Sequence, residues 1–220
     1  EVTPMTAAPS ETFAALELPG VRHAFLCRVP GVDVAGVERA EALRRLDESH
    51  AEARRELGFG AMPPATAQQV HGNIVAIASD VGAPAEGADG LVTATRGVAL
   101  GIYVADCCAI YFVDPVRRVI GLAHSGKKGT DLGIAAVAIR KMADSFGSRP
   151  ADIIAQLSPC IRPPHYEIDF AARIAEQCRE CGVQQVFDCG RDTAADLSRY
   201  YSYRAEHGKT GRMLALLALD

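Results

Sequence analysis

The stretch Gly101–Thr130, GIYVADCCAIYFVDPVRRVIGLAHSGKKGT, constrains the fold of this chain more than any other. It alternates β-branched and aromatic runs with tight turns: Gly101–Val104, then Ala109–Val113 stopped by Asp114-Pro115, then Val119–Ala123. Runs of this kind bounded by turn residues predict three short strands. The first leads into Asp106-Cys107-Cys108 and the third into His124. Beyond His124, the small and basic residues Ser125-Gly126-Lys127-Lys128-Gly129-Thr130 suit an anion-receiving loop. Helical apolar spacing over Leu132–Phe146 places that loop at a helix N-terminus, where free N–H groups and the macrodipole favour negative charge. A thiol, an imidazole and an anion cradle are therefore expected at one edge of one sheet.

The rest of the chain supplies a core for that edge. With 220 residues, 49% of them hydrophobic, the chain can bury one large or two small cores. A net charge of −4 lacks the basic field that nucleic-acid binding requires. No apolar run approaches the roughly 20 residues of a membrane span, and the first residues lack a basic segment followed by an apolar one. Seven cysteines, an odd number in a chain of this size, fit free thiols and a reducing compartment better than a disulfide framework. The expectation is a cytoplasmic protein, a monomer or weak homo-oligomer, with neither nucleic-acid nor membrane partners.

Along the chain, residues 1–20 are expected to be flexible and 21–220 to form a single domain. Val21–Val29 predicts a first strand on which His23 and Cys27 share a packed face, while Arg28 points the other way, toward a ligand. Val34–Leu57 has approximate helical spacing and a charged outer face, with His50 at its rim and Gly58 as its stop. Strands are expected at Ala65–Val70, Ile74–Ala78, after Asp89-Gly90, at Ile153–Leu157, Val183–Phe187 and Met213–Leu219. Helices are expected at Ile168–Cys181 and Thr193–Tyr200. Three prolines between Pro159 and Pro164 stiffen the loop after Leu157. Cys178 and Cys181 have C-x-x-C spacing, but no second pair follows to complete a structural zinc site. Without repeats or low-complexity linkers, the pattern predicts a single mixed sheet flanked by helices, α/β or α+β.

His71, Cys107 and His124 each follow a predicted strand. Two histidines and one cysteine form a three-ligand set for Zn²⁺ with an open fourth position, the catalytic rather than the structural pattern. The same residues also fit a Cys107 thiolate activated by either histidine, or a buried cysteine near two unrelated histidines. Asp106 and Tyr103 are candidates to orient a ligand or hold a proton.

An ordered series of pieces goes further than spacing. Gln69-Val70-His71-Gly72, Asp89-Gly90-Leu91-Val92-Thr93, Ala105-Asp106-Cys107, His124–Thr130, Ser158-Pro159-Cys160-Ile161 with Tyr166-Glu167, and Tyr201-Ser202-Tyr203-Arg204 with Thr210-Gly211-Arg212-Met213 occur in one order. The series resembles the YfiH family, also called the polyphenol oxidase or laccase-domain family, which includes the peptidoglycan editing factor. The resemblance implies a single α/β domain with a zinc site at His71, Cys107 and His124. It also implies purine nucleoside phosphorolysis, in which phosphate displaces the base from adenosine, inosine or guanosine, together with adenosine deamination and methylthioadenosine phosphorolysis. The laccase label implies copper and phenol oxidation. Multicopper oxidation requires many histidine ligands, and this chain has 6 in all, so copper is the weaker expectation.

The chain departs from the family pattern where the anion would bind. Family members usually read His-Ala-Gly-Trp-Arg-Gly where this chain has His124-Ser125-Gly126-Lys127-Lys128-Gly129. Lysine at 128 replaces bidentate recognition with a point charge. Arg162 stands where a glycine is usual, with His165 nearby, and the segments after Val29 and after Tyr166 are short. The expectation is a zinc-dependent nucleoside phosphorylase in which His71, Cys107 and His124 hold the metal and Asp106 handles a proton. Lys127 and Lys128 take phosphate, with Arg28, Arg162 and Arg204 as further substrate contacts. Two alternatives stand beside it: a diverged metal-binding member without catalysis, in a peptidoglycan-editing accessory role, and a metal-free cysteine hydrolase using Cys107.

Overall fold

A computed structural model describes residues 6–220 of the chain. In chain order the elements are β1 (Ser10–Glu11), β2 (Val21–Leu26), α1 (Arg39–Glu56), β3 (Ala65–Thr66), β4 (Val75–Ile77), β5 (Gly90–Thr93) and β6 (Leu100–Val104). There follow β7 (Cys108–Asp114), β8 (Val119–Ser125), α2 (Lys127–Asp131), α3 (Ile134–Phe146), β9 (Ile154–Leu157), α4 (Phe170–Glu180), β10 (Gln185–Asp188) and β11 (Met213–Leu219).

The strands form two mixed sheets, ordered β1-β2-β11-β6-β3 and β10-β9-β7-β8-β5-β4, where the sequence predicted one. The reason lies in β7 and β8, every residue of which is buried. Successive side chains on a strand point to opposite faces, so a strand without a polar face must be covered on both. Ala109, Tyr111 and Val113 of β7 pack into a core shared with Phe25, Ile102 and Leu216 of the other sheet. Cys108, Ile110 and Phe112 pack into a second core with Ile134, Ala138 and Met142 of α3 and Ile174 and Cys178 of α4. The layers are thus sheet, sheet and helices. The buried Tyr111 hydroxyl donates to the Ala24 carbonyl at 2.7 Å, tying the two sheets through their shared core.

Other expectations shift for local reasons. The flexible segment expected at 1–20 falls partly on residues 1–5, which lie outside the described residues. From Ser10 on it is packed: β1 pairs with β2, and Phe13 and Leu16 are buried. The helix expected at Thr193–Tyr200 is a series of turns, in which Asp192 and Asp196 accept from the backbone N–H groups of Ala194 and Ser198 at 3.0 and 3.1 Å. Aspartates that bond their own neighbourhood in this way compete with a helix. His50, expected at a helix rim, is buried at 1% exposure because the apolar stripe of α1 (Ala42, Leu46, Ala53) turns that face inward. His23 and Cys27 both pack, as their strand pattern predicts.

Candidate metal centre and cleft

Residues 105–107 carry the chain from β6 in one sheet to β7 in the other, so Cys107 sits at the seam between the sheets. The crossing bends at Asp106, whose φ of 82° is a left-handed conformation that costs a non-glycine residue free energy. The bend is held by three donors to the Asp106 carboxylate: the Thr193 hydroxyl at 2.7 Å, the Ser202 hydroxyl at 3.1 Å and the Arg204 N–H at 2.7 Å. With its oxygens so committed, Asp106 lines the cleft as an anchor for the bend that presents Cys107.

His71 arrives from a loop that is equally fixed. Beyond β3 the chain turns through positive φ at Gln69 and His71, at 61° and 63°. The Gln69 side-chain amide completes the missing ladder to β6. Its Nε2 donates to the Tyr103 carbonyl at 2.6 Å and its Oε1 accepts from the Tyr103 N–H at 3.0 Å. Asp89, fully buried, then accepts from the N–H groups of Val70, His71 and Gly72 at 3.1, 2.8 and 2.7 Å.

Asp89 also orients the third residue. His124, near the end of β8, has its Nδ1 2.8 Å from Asp89 Oδ1. A carboxylate can only accept there, which fixes Nδ1 as the donor and leaves Nε2 toward Cys107. The His71 and His124 rings meet edge to face with centroids 4.8 Å apart. One ligand atom from each of His71, Cys107 and His124 lies within 4.8 Å of the others.

Burial alone would push the Cys107 thiol up, but hydrogen bonds from His124 and His71 outweigh it and bring the thiol down to about 6. Burial likewise opposes protonation of His124, and Asp89 and Cys107 outweigh it in the other direction. A thiolate beside two imidazoles, one oriented by a carboxylate, is the donor set and supporting partner that zinc sites use. The residues present therefore fit a metal ion. Gly126 is required beside them, since a Cβ there would lie 2.5 Å from the Cys107 sulfur.

The three side chains open into a cleft of about 410 Å³, within the range of small-molecule sites. Tyr166, Phe170 and Tyr203 supply aromatic wall, and Arg39, Arg204 and Arg212 supply charge. The expected basic residues are distributed differently. Lys127 lines the cleft but pairs with Asp131 at 2.8 Å, and Lys128 does not reach the lining. The anion loop is itself the short helix α2, and α3 begins only at Ile134, so the loop does not cap α3. Arg28 lies outside the cleft lining, held by Glu206 at 2.7 Å and stacked 4.3 Å above the Tyr201 ring. Arg162 is likewise outside, held by Asp188 at 2.7 Å. Arg204 does line the cleft, 5.3 Å above the Tyr166 ring.

Four residues important to this geometry escaped the sequence reading as site residues: Asp89, Gln69, Arg39 and Arg212. Asp89, Gln69 and Arg212 stand in the ordered family-like pieces, which was the available signal. Arg39 is indistinguishable in sequence from the charged outer face of α1.

Fold and site together define an α/β protein with a three-residue His-Cys-His centre at the seam of two sheets. The family model described as multi-copper polyphenol oxidoreductase laccase matches residues 35–175 and 165–220. A purine nucleoside phosphorylase of Deinococcus radiodurans is 37% identical over 90% of this chain and 89% of its own length. One from Streptomyces coelicolor is 30% identical over 76% of this chain and 80% of its own length. In fold, the chain resembles YlmD from Geobacillus stearothermophilus with a TM-score of 0.82, at 24% identity and 94% coverage of each chain. It also resembles YfiH from Bacillus licheniformis with a TM-score of 0.80, at 23% identity over 91% of this chain and 93% of that one. The chain belongs to the YfiH, or laccase-domain, family.

Among the described residues, no helix is long and apolar enough to cross a membrane.

Proposed function

We propose that this chain is a zinc-dependent purine nucleoside phosphorylase acting on adenosine or inosine. The observation that carries the reading is the His71–Cys107–His124 centre opening into a cleft walled by aromatic rings and guanidinium groups. The relatives named as purine nucleoside phosphorylases support the substrate class.

In phosphorolysis a phosphate oxygen forms a bond to the anomeric carbon of the ribose. The bond from that carbon to the base nitrogen breaks, and the base leaves with the electron pair and takes a proton. Tyr166, Phe170 and Tyr203 offer faces on which a purine stacks. The arginines of the cleft neutralise the attacking anion. Asp89 keeps His124 Nε2 directed at the centre, and Asp106 keeps Cys107 there. Zinc held by His71, Cys107 and His124 would supply Lewis acidity at an open coordination position. A multicopper cluster does not fit, because a lone thiolate with two imidazoles makes one small site.

The test is release of hypoxanthine from inosine by zinc-loaded protein, with and without phosphate. Release that requires both phosphate and metal supports the reading, and release independent of phosphate, or none, contradicts it.

One observation favours a second reading. Asp89, His124 and Cys107 form a continuous chain of the kind that activates a cysteine nucleophile. A metal-free cysteine hydrolase of this type would lose activity on thiol alkylation and keep it under chelation, the reverse of the chelation result expected above.

A further inference from the structure

The wall of the cleft around Tyr103 carries positive charge that, among the described residues, no carboxylate pairs directly; Asp47 and Asp106 act on it only from nearby. Arg39 and Arg212 line the cleft together with Tyr103. Burial raises the Tyr103 hydroxyl above its ordinary value, Arg54 and Arg39 act against that from nearby, and Asp47 acts with it. Among the described residues none of these three arginines forms a salt bridge, whereas Arg28, Arg204 and Lys127 all do. Arg54 is 5% exposed, and its Nε is buried without a hydrogen-bond partner, as is the Nε2 of His50 one turn earlier on α1. Arg212 Nη1 donates to the carbonyls of Thr210 and Gly211 at 3.0 and 2.9 Å, and its other nitrogens have no protein acceptor among the described residues. Arg39 is the first residue of α1, where the helix macrodipole already disfavours a cation. Two guanidinium groups that face the cleft without a carboxylate bonded to either, with Arg54 buried behind them on α1, are poised for an anion from outside the chain.

We propose that this wall, with Arg39 and Arg212 at the cleft surface, is the phosphate-binding subsite, in place of the Lys127–Lys128 turn. The inference rests on the phosphorylase reading in taking phosphate as the anion. Lys127 is drawn toward Asp131 in an exposed pair, and Lys128 lies outside the cleft. Guanidinium forks also match the oxygens of a phosphate two at a time, which restores the bidentate recognition absent from the lysine turn. Arg212 lies within electrostatic reach of Cys107, so the bound phosphate and the His-Cys-His centre would share one cleft.

The experiment is calorimetric titration of inorganic phosphate into the zinc-loaded chain, comparing wild type, Arg39→Ala, Arg212→Lys and the double variant Lys127→Ala/Lys128→Ala. Arg39 is exposed at a helix start, so its replacement leaves the fold intact. Arg39→Ala is expected to weaken binding about tenfold, or about 1.4 kcal/mol, while the lysine double variant stays within about twofold of wild type. Arg212→Lys is expected to weaken it as well, because a point charge replaces the fork. Lost binding in the lysine variant with retained binding in both arginine variants would overturn the inference, as would no phosphate binding to wild type. Displacement of phosphate by a nucleoside 5′-monophosphate in wild type but not in Arg39→Ala would support the same subsite with the substrate's own phosphate as its source. Phosphate bound at the arginines without inosine cleavage would contradict the phosphorylase reading alone. Inosine cleavage impaired only in the lysine variant would contradict this inference alone.

Discussion

Asp89 and His124, 35 residues apart, meet through a 2.8 Å hydrogen bond between Oδ1 and Nδ1. The same carboxylate gathers the backbone N–H groups of Val70, His71 and Gly72. One buried side chain thus orients both histidines of the centre.

Asp89→Asn should therefore damage the site without emptying it of ligands. The amide keeps the size but loses the charge and one of its two accepting oxygens. Loss of such a supporting partner typically lowers metal affinity about 10–100-fold. A competition titration of zinc against a chelator reads the change directly, and an affinity equal to wild type would contradict the role assigned to Asp89.

Gly126→Ala places a methyl group 2.5 Å from the Cys107 sulfur, closer than the two can pack. Overpacking of this kind costs about 1–3 kcal/mol and moves whichever neighbour gives most easily. Since Cys107 sits on a turn rather than in a strand, the expected outcome is a folded protein with reduced zinc content. Metal analysis beside a thermal melt checks it, and full zinc loading would show that the thiol has room to move.

Gln69→Ala removes both side-chain bonds to the Tyr103 backbone and leaves a strand edge unpaired. The expected loss is about 1–3 kcal/mol of stability in urea unfolding. Because Gln69 precedes His71 by two residues in the same loop, and both have positive φ, zinc affinity should fall with it.

Glu11 predicts how stability responds to acid. Burial opposes its ionisation, but a hydrogen bond from Tyr200 and the pairing with Arg199 and Arg191 outweigh this and hold the carboxyl below its ordinary value. A carboxyl depressed in the folded state contributes stability above its unfolded pKa of about 4.3, and loses that contribution as pH falls through the folded value. Glu11→Gln should destabilise the chain by about 1–3 kcal/mol at neutral pH. The gap from wild type should close below pH of about 4, as unfolding across a pH series would reveal.

Much of this arrangement was legible before the fold. Met213–Leu219 is legible with the bounds it has, because seven consecutive apolar residues admit a buried strand and no turn. The strands that flank Cys107 and the one that carries His124 are legible from the same β-branched density, which is why these two residues stand out in the sequence. The two-sheet arrangement was hidden because short apolar runs look alike whether one face or both are covered. The destinations of Arg28 and Arg162 were hidden for another reason: their carboxylates, Glu206 and Asp188, lie 178 and 26 residues away, and no local pattern signals such pairs. Asp89 read as the first residue of a turn. Only the fold shows that its carboxylate is buried between two histidines.

The central claim is that His71, Cys107 and His124 hold one metal ion, and elemental analysis of purified protein tests it most directly. Wild type should carry about one zinc per chain, and Cys107→Ala and His124→Ala, shown folded by circular dichroism, should carry almost none. A folded wild-type protein that takes up no zinc from a zinc-supplemented buffer would contradict the account.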